Sequence, residues 1–192
     1  MTPVDPLALA ARIAAILDSI GVRYVIGGSV AASVVGEPRS TLDLDLMVEL
    51  DDVHARLLVA SLQDDFYIDE EMVLEAVRAE GTFNAIHYAS SMRIDFFIAE
   101  DFATRQLDRR RELRVRDDLP PLCFYSAEDL VVRKLMWFRL GGEVSNRQWR
   151  DVLGILKTSW QSVDIAYLES AAEERDVGDL LLRARDEAGV TP

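Results

Sequence analysis

The strongest constraint on this chain is an alternation of leucine and aspartate, Thr41-Leu42-Asp43-Leu44-Asp45-Leu46. A period of two belongs to a β-strand, so the leucines share one face and the aspartates the other. Leu42, Leu44 and Leu46 are expected in a core. Asp43 and Asp45 then stand together, roughly 7 Å apart at Cα. Two carboxylates that close repel and raise each other's pKa unless a cation lies between them. Hard oxygen donors converging from one strand suit Mg²⁺ or Mn²⁺.

Upstream, Tyr24-Val25-Ile26 reads as a short apolar strand ending on Gly27-Gly28-Ser29. Gly28 can take a positive φ and admit a close approach of the backbone. Ser29 is expected to N-cap a short helix, Val30 to Val35, which Gly36 and Pro38 stop. A Gly-Gly-Ser turn feeding a helix N-terminus aims free N–H groups and the positive dipole end at one spot, which suits a phosphate. A third acid lies in Met92-Arg93-Ile94-Asp95-Phe96-Phe97-Ile98, where Ile94, Phe96 and Ile98 share a face and Asp95 points away. An acid inside so apolar a strand is costly unless paired or ligating. With this strand beside Thr41–Val48, Asp43, Asp45 and Asp95 make a three-carboxylate site for two ions. Such a site activates an attacking oxygen and neutralises a triphosphate during in-line displacement.

Gly28-Ser29, then Asp43-x-Asp45, then Asp95 on a later strand resemble the DNA polymerase β-type nucleotidyltransferase superfamily. The run Arg39-x-Thr41-x-Asp43-x-Asp45 is similar to its minimal bacterial members. The nearest likeness is to the small AbiEii-like group, which includes toxins of type IV toxin–antitoxin systems. There the motifs are followed by a segment like Ser126-Ala127-Glu128-Asp129-Leu130-Val131-Val132-Arg133-Lys134-Leu135, then by an Arg-Asp such as Arg150-Asp151. The resemblance covers roughly residues 20–158. It implies NTP phosphates at Gly27, Gly28 and Ser29, with Thr41 in the nucleotide site. It implies two Mg²⁺ on Asp43, Asp45 and Asp95, Asp95 helping to deprotonate an acceptor hydroxyl. Lys134 and Arg39 would steady the triphosphate, and Asp151 would support Lys134 or lie near the nucleotide.

The totals set bounds. At 192 residues and 49% apolar the chain can bury one good core or somewhat more. No run approaches the ~20 apolar residues of a membrane span, and no charged-then-apolar leader opens the chain. The single cysteine, Cys123, excludes an internal disulfide and fits a cytoplasmic setting, where it reads as a small buried hydrophobe. A net charge of −13 argues against an extended nucleic-acid surface, though not against a local basic patch. Two isolated histidines give no support to a histidine zinc site.

Taken in order, Asp5-Pro6 caps a helix with Leu9, Ile13, Ile16, Leu17 and Ile20 on one side, and Gly21 stops it. Helices are expected after Asp51-Asp52 and from Asp69 to Arg78, and a hairpin joins Phe83–Tyr88 to the Asp95 strand. His54 reads as a surface residue and His87 as a core or sheet-face one. Between Phe102 and Arg116 stand six arginines (105, 109, 110, 111, 114 and 116) against Asp108 and Glu112. They suit either a solvated helix end with an edge strand or an anchor for a triphosphate or RNA acceptor. Asp117 to Pro121 marks a boundary, giving an α/β domain over 1–118 and a mainly helical part over 119–192. Ser126-x-x-Asp129 is a capping box, and Lys134 shares an apolar side with Leu130, Trp137 and Phe138. Lysine there either snorkels out or serves as a phosphate-binding charge, which the resemblance favours. Trp137 and Trp149 read as core, Asn146–Thr158 as a helix, and the acidic last 32 residues as a helical cap or partner surface.

The expected fold is α/β (α+β): a small mixed sheet flanked by helices, nucleotidyltransferase-like, with a helical C-terminal portion. The expected function is metal-dependent transfer of an NMP from an NTP to a hydroxyl on RNA, protein or a small molecule. Two other classes stay open. One is the toxin of a pair with an antitoxin protein, its RNA acceptor docked by Arg105–Arg116. The other is a non-catalytic nucleotide- or protein-binding module on the same fold.

Overall fold

The computed structural model describes residues 5–38, 41 and 43–190, with Asp101 described by its backbone alone. Arg39 and Leu42, named above, lie outside the described residues. The first elements are α1 (Pro6–Ser19), β1 (Tyr24–Ile26), α2 (Gly28–Val35), β2 (Asp43–Val48) and α3 (Asp52–Leu62). Then come β3 (Phe66–Tyr67), α4 (Glu70–Arg78), β4 (Thr82–His87), β5 (Arg93–Ile98) and α5 (Asp101–Asp108). The chain continues through β6 (Arg111–Leu113), β7 (Leu122–Phe124), α6 (Ala127–Leu140), α7 (Asn146–Ser159), α8 (Ile165–Glu174) and α9 (Gly178–Ala188). It divides into two compact units. One holds the described residues of Met1–Val30 and Thr41–Phe124, the other those of Ala31–Ser40 and Tyr125–Pro192. No helix among the described residues is long and apolar enough to cross a membrane.

The first unit is built on a mixed sheet of seven strands among the described residues, in the order β3-β4-β5-β2-β1-β7-β6. β2 runs parallel to β5, and β1 parallel to β7; the remaining neighbours are antiparallel. Alternation decides the faces. Leu44, Leu46 and Val48 lie buried beside Ile94, Phe96 and Ile98, and Phe83 stacks on Phe96 with ring centroids 4.7 Å apart. Each such side chain contributes about 1.5–3 kcal/mol by leaving water. Helix α1 starts as its sequence predicts, with Pro6 in its first turn and the Asp5 carboxylate accepting from Leu7 N–H at 3.0 Å. Its buried residues include Leu9, Ile13 and Leu17. His87 is on the core face, 5.0 Å from the Phe66 ring.

The second unit is helical. Ser126 caps α6 through the Asp129 N–H at 3.2 Å, and its hydroxyl donates back to the Asp129 carboxylate at 2.7 Å. Tyr167 of α8 donates to the other oxygen of that carboxylate at 2.6 Å, so a fully buried acid ties two helices together. Residues Ala31–Val35 belong here because the Val35 carbonyl accepts from Thr158 at 2.8 Å and from Ser159 at 2.9 Å. Trp149 is core, tilted on Phe138 at 5.0 Å. Trp137 is not: it stands 51% exposed, correcting its expected burial. On that last turn of α6 Phe138 is buried and Arg139 bonds Asp179 of α9, while Leu140 is exposed like Trp137.

Asp129→Ala would leave the Tyr167 hydroxyl without its carboxylate and remove half the capping box. It should lower stability by about 1–3 kcal/mol, read as a lower urea midpoint at unchanged m. An unchanged midpoint would show that the buried carboxylate is not a structural tie.

Candidate active site

The turn after β1 is fixed to β2 by its backbone: Gly27 N–H donates to the Asp45 carbonyl at 2.9 Å. Gly28 follows with φ +56°, a left-handed conformation that side chains resist. A Cβ there would fall on the Asp45 carboxylate. Two separate reasons therefore require glycine. Helix α2 begins at Gly28 itself, so Ser29 lies buried in its first turn rather than capping it from outside. The helix's positive end and the Asp45 carboxylate adjoin, a favourable pairing of dipole and charge.

Register brings the acids together. In the parallel β2–β5 ladder Asp45 is opposite Asp95, and Asp43 is opposite Arg93. Neighbouring strands lie roughly 4.8 Å apart, so Asp45 and Asp95 stand side by side with Asp43 two residues away on the same face. Asp43 is exposed; Asp45 and Asp95 are half-buried. On the far side of β5, exposed Asn84 registers with Asp95. Thr41 precedes the strand, its Oγ1 accepting from Asp43 N–H at 3.3 Å. One residue of this cluster went unassigned in the sequence: Arg93, whose Nε donates to Asp95 Oδ1 at 2.7 Å. Its guanidinium pKa is raised, first by that hydrogen bond, and further by the charges of Asp95, Asp43 and Asp45. The available signal was parity, since Arg93 and Asp95 are two apart on one strand.

The donor set suits a divalent cation in chemistry: hard oxygens on one face of two adjoining strands. As the side chains stand, no group of three His, Cys, Asp or Glu among the described residues converges to hold one. Asp95 is turned onto Arg93 instead.

No protein-family model matches the chain, and no curated protein does. Solved structures do. An antigenic nucleotidyltransferase-like protein from Paracoccidioides brasiliensis superposes with TM-score 0.56 at 19% identity, covering 93% of this chain and 92% of that one. The antibiotic-resistance factor ANT(2'')-Ia superposes with TM-score 0.51 at 17% identity, covering 95% and 93%. The fold is nucleotidyltransferase-like. On this nucleotidyltransferase-like fold the acid face of β2 and β5 adjoins the turn between β1 and α2.

Lys134 and Asp151 belong to the second unit, and the arginine block to the first. Within the second unit Lys134 Nζ donates to Asp151 at 2.7 Å and to Gln148 at 3.2 Å, with the two charged side chains only 5% and 7% exposed. The partnership of Lys134 with Asp151 is thus a buried ion pair. The arginine block is largely occupied within the first unit. Arg110 donates to the Leu107 carbonyl at 2.7 Å, Arg114 to the Leu119 carbonyl at 3.0 Å, and Arg116 pairs with Asp5 and Asp118. Arg111 lies exposed on β6, the sheet edge, four strands or roughly 19 Å from β5.

Two stability measurements check these placements. Gly21, also at positive φ but with open space around it, is the control for Gly28. Gly21→Ala should cost about 1 kcal/mol from backbone strain alone, and Gly28→Ala clearly more because Asp45 must move; equal losses would mean the carboxylate swings aside freely. Asp151→Leu should cost about 3–5 kcal/mol by stranding a buried ammonium, and most of that should return in the Lys134→Met/Asp151→Leu double variant. A double variant as weak as the single one would contradict a pairwise tie.

Proposed function

We propose that the protein is a metal-dependent nucleotidyltransferase that moves an NMP from an NTP to a hydroxyl acceptor. The observation that carries this reading is the in-register pair Asp45–Asp95 beside the Gly28 turn. Asp43, Asp45 and Asp95 would hold the divalent cation, Mg²⁺ or Mn²⁺. When bound, it supplies neutralisation of the triphosphate and acidification of the acceptor hydroxyl. Asp95 takes the acceptor's proton, the acceptor oxygen forms a bond to the α-phosphorus, and the bond to the bridging oxygen breaks to release pyrophosphate. The turn at Gly28 and Ser29 receives phosphate oxygens at the start of α2. Asp45 against Gly28 means that a bare anion would be repelled there, so the nucleotide arrives with its charge masked. Lys134, oriented by Asp151, and Arg39 are the cations assigned to the triphosphate, and Thr41 completes the nucleotide site.

The finer reading, an AbiEii-like toxin that modifies RNA and is countered by an antitoxin protein, is supported by the motif resemblance and by the arginine block. The engagement of Arg110, Arg114 and Arg116 within the fold narrows what an RNA could use to residues such as exposed Arg111.

Purified protein, Mg²⁺ and each labelled NTP in turn, with and without total RNA, tests the proposal. Label should move to an acceptor with pyrophosphate release, and Asp45→Asn should lower the rate by roughly 10²- to 10³-fold while leaving the fold intact. Label in RNA would favour the toxin. Metal-dependent NTP binding without transfer would favour the non-catalytic module, and full activity in Asp45→Asn would overturn the site.

A further inference from the structure

Arg93 opens β5 on the acid face. It stands opposite Asp43 across the parallel ladder, and is bonded through Nε to Asp95, itself opposite Asp45. Three carboxylates so disposed repel one another, and a cation among them relieves that repulsion. A guanidinium two residues from Asp95 on the same strand is such a cation, supplied by the chain. The two partners differ in exposure. The Asp95 side chain is 16% exposed, whereas that of Arg93 is 56% exposed. An exposed guanidinium held by one such bond is weakly retained. The carboxylate stays in place; the arginine can leave.

We propose that Arg93 is the metal-free protein's own counter-ion for Asp43, Asp45 and Asp95, and that its guanidinium must leave Asp95 for this face to take a divalent cation. This rests on the assignment of those carboxylates as metal ligands. Arg93 thereby performs two tasks. It keeps the acid face folded when no metal is present, and it sets a threshold on metal occupancy, because a site competent for only part of the time binds with correspondingly lower apparent affinity. Once displaced, the guanidinium remains beside the site as a positive charge on the solvent side.

The test follows Mn²⁺ binding by the loss of the free-ion EPR signal in wild type, Arg93→Met and Asp45→Asn. Arg93→Met should bind Mn²⁺ about two- to six-fold more tightly than wild type, as removal of a weak exposed pair predicts. It should also have a lower urea midpoint without metal and recover it with Mg²⁺. In wild type, the Arg93 Nε–H resonance, identified by its absence from Arg93→Met, should shift when Mg²⁺ is added. Mn²⁺ binding that depends on Asp45 but is unchanged or weaker in Arg93→Met overturns the counter-ion role alone. So does an Arg93 resonance that stays put while metal binds. No Mn²⁺ binding by wild type or Arg93→Met overturns this role together with the metal assignment beneath it.

Discussion

Like charges held at close quarters govern the first unit. Asp45 and Asp95 are fixed side by side by strand register, with Asp43 on the same face, and the neighbouring structure answers their repulsion. Gly28 gives up its side chain so that Asp45 can lie against the backbone. Helix α2 starts there with its positive end toward that carboxylate. Arg93 reaches along β5 to Asp95. Leu46 of β2 and Phe96 of β5 on the opposite face, with Phe83 of β4 stacked on Phe96, provide the burial that keeps the register from slipping, since a one-residue shift of β2 would send Asp43 and Asp45 into the core. Core packing and the acid face are thus borne by the same strands, one on each side.

The second unit handles buried charge differently. Asp129 is satisfied by hydroxyls, from Ser126 and Tyr167, whereas Lys134 is satisfied by an opposite charge, Asp151. Both arrangements remove polar groups from water without leaving a donor or acceptor stranded. The first ties α6 to α8, and the second ties α6 to α7.

What was legible in the sequence was what is local. The caps at Asp5 and Ser126, the breaker at Gly21 and the two-residue alternation of β2 and β5 depend on neighbours a few positions away, and each is where its pattern put it. The side of the strand on which Asp43, Asp45 and Asp95 stand followed from parity. Their juxtaposition did not: parallel pairing of β2 with β5 spans two helices and two strands, and no local period encodes it. Parity alone does not single out Arg93, because a polar residue at a strand start is equally compatible with plain solvent exposure. Arg116 meets Asp5 across 111 residues, which is why the arginine block looked freer than it is. The burial of Trp137 failed for a related reason: it lies at the edge of the apolar side of α6, and what covers that edge is set by distant parts of the chain rather than by helical spacing. The start of α2 is a smaller difference. A glycine in the left-handed region can itself open the helix, so Ser29 was not needed as its cap.

A crystal structure of the protein with Mg²⁺ and a non-hydrolysable NTP analogue would test the proposed metal site most directly. A cation should be bound by Asp45 and Asp95 with Arg93 withdrawn from Asp95, and phosphate oxygens should lie at the Gly28-Ser29 start of α2. A nucleotide bound away from the β2–β5 acid face, or bound there with Arg93 still on Asp95 and no cation between the carboxylates, would contradict it.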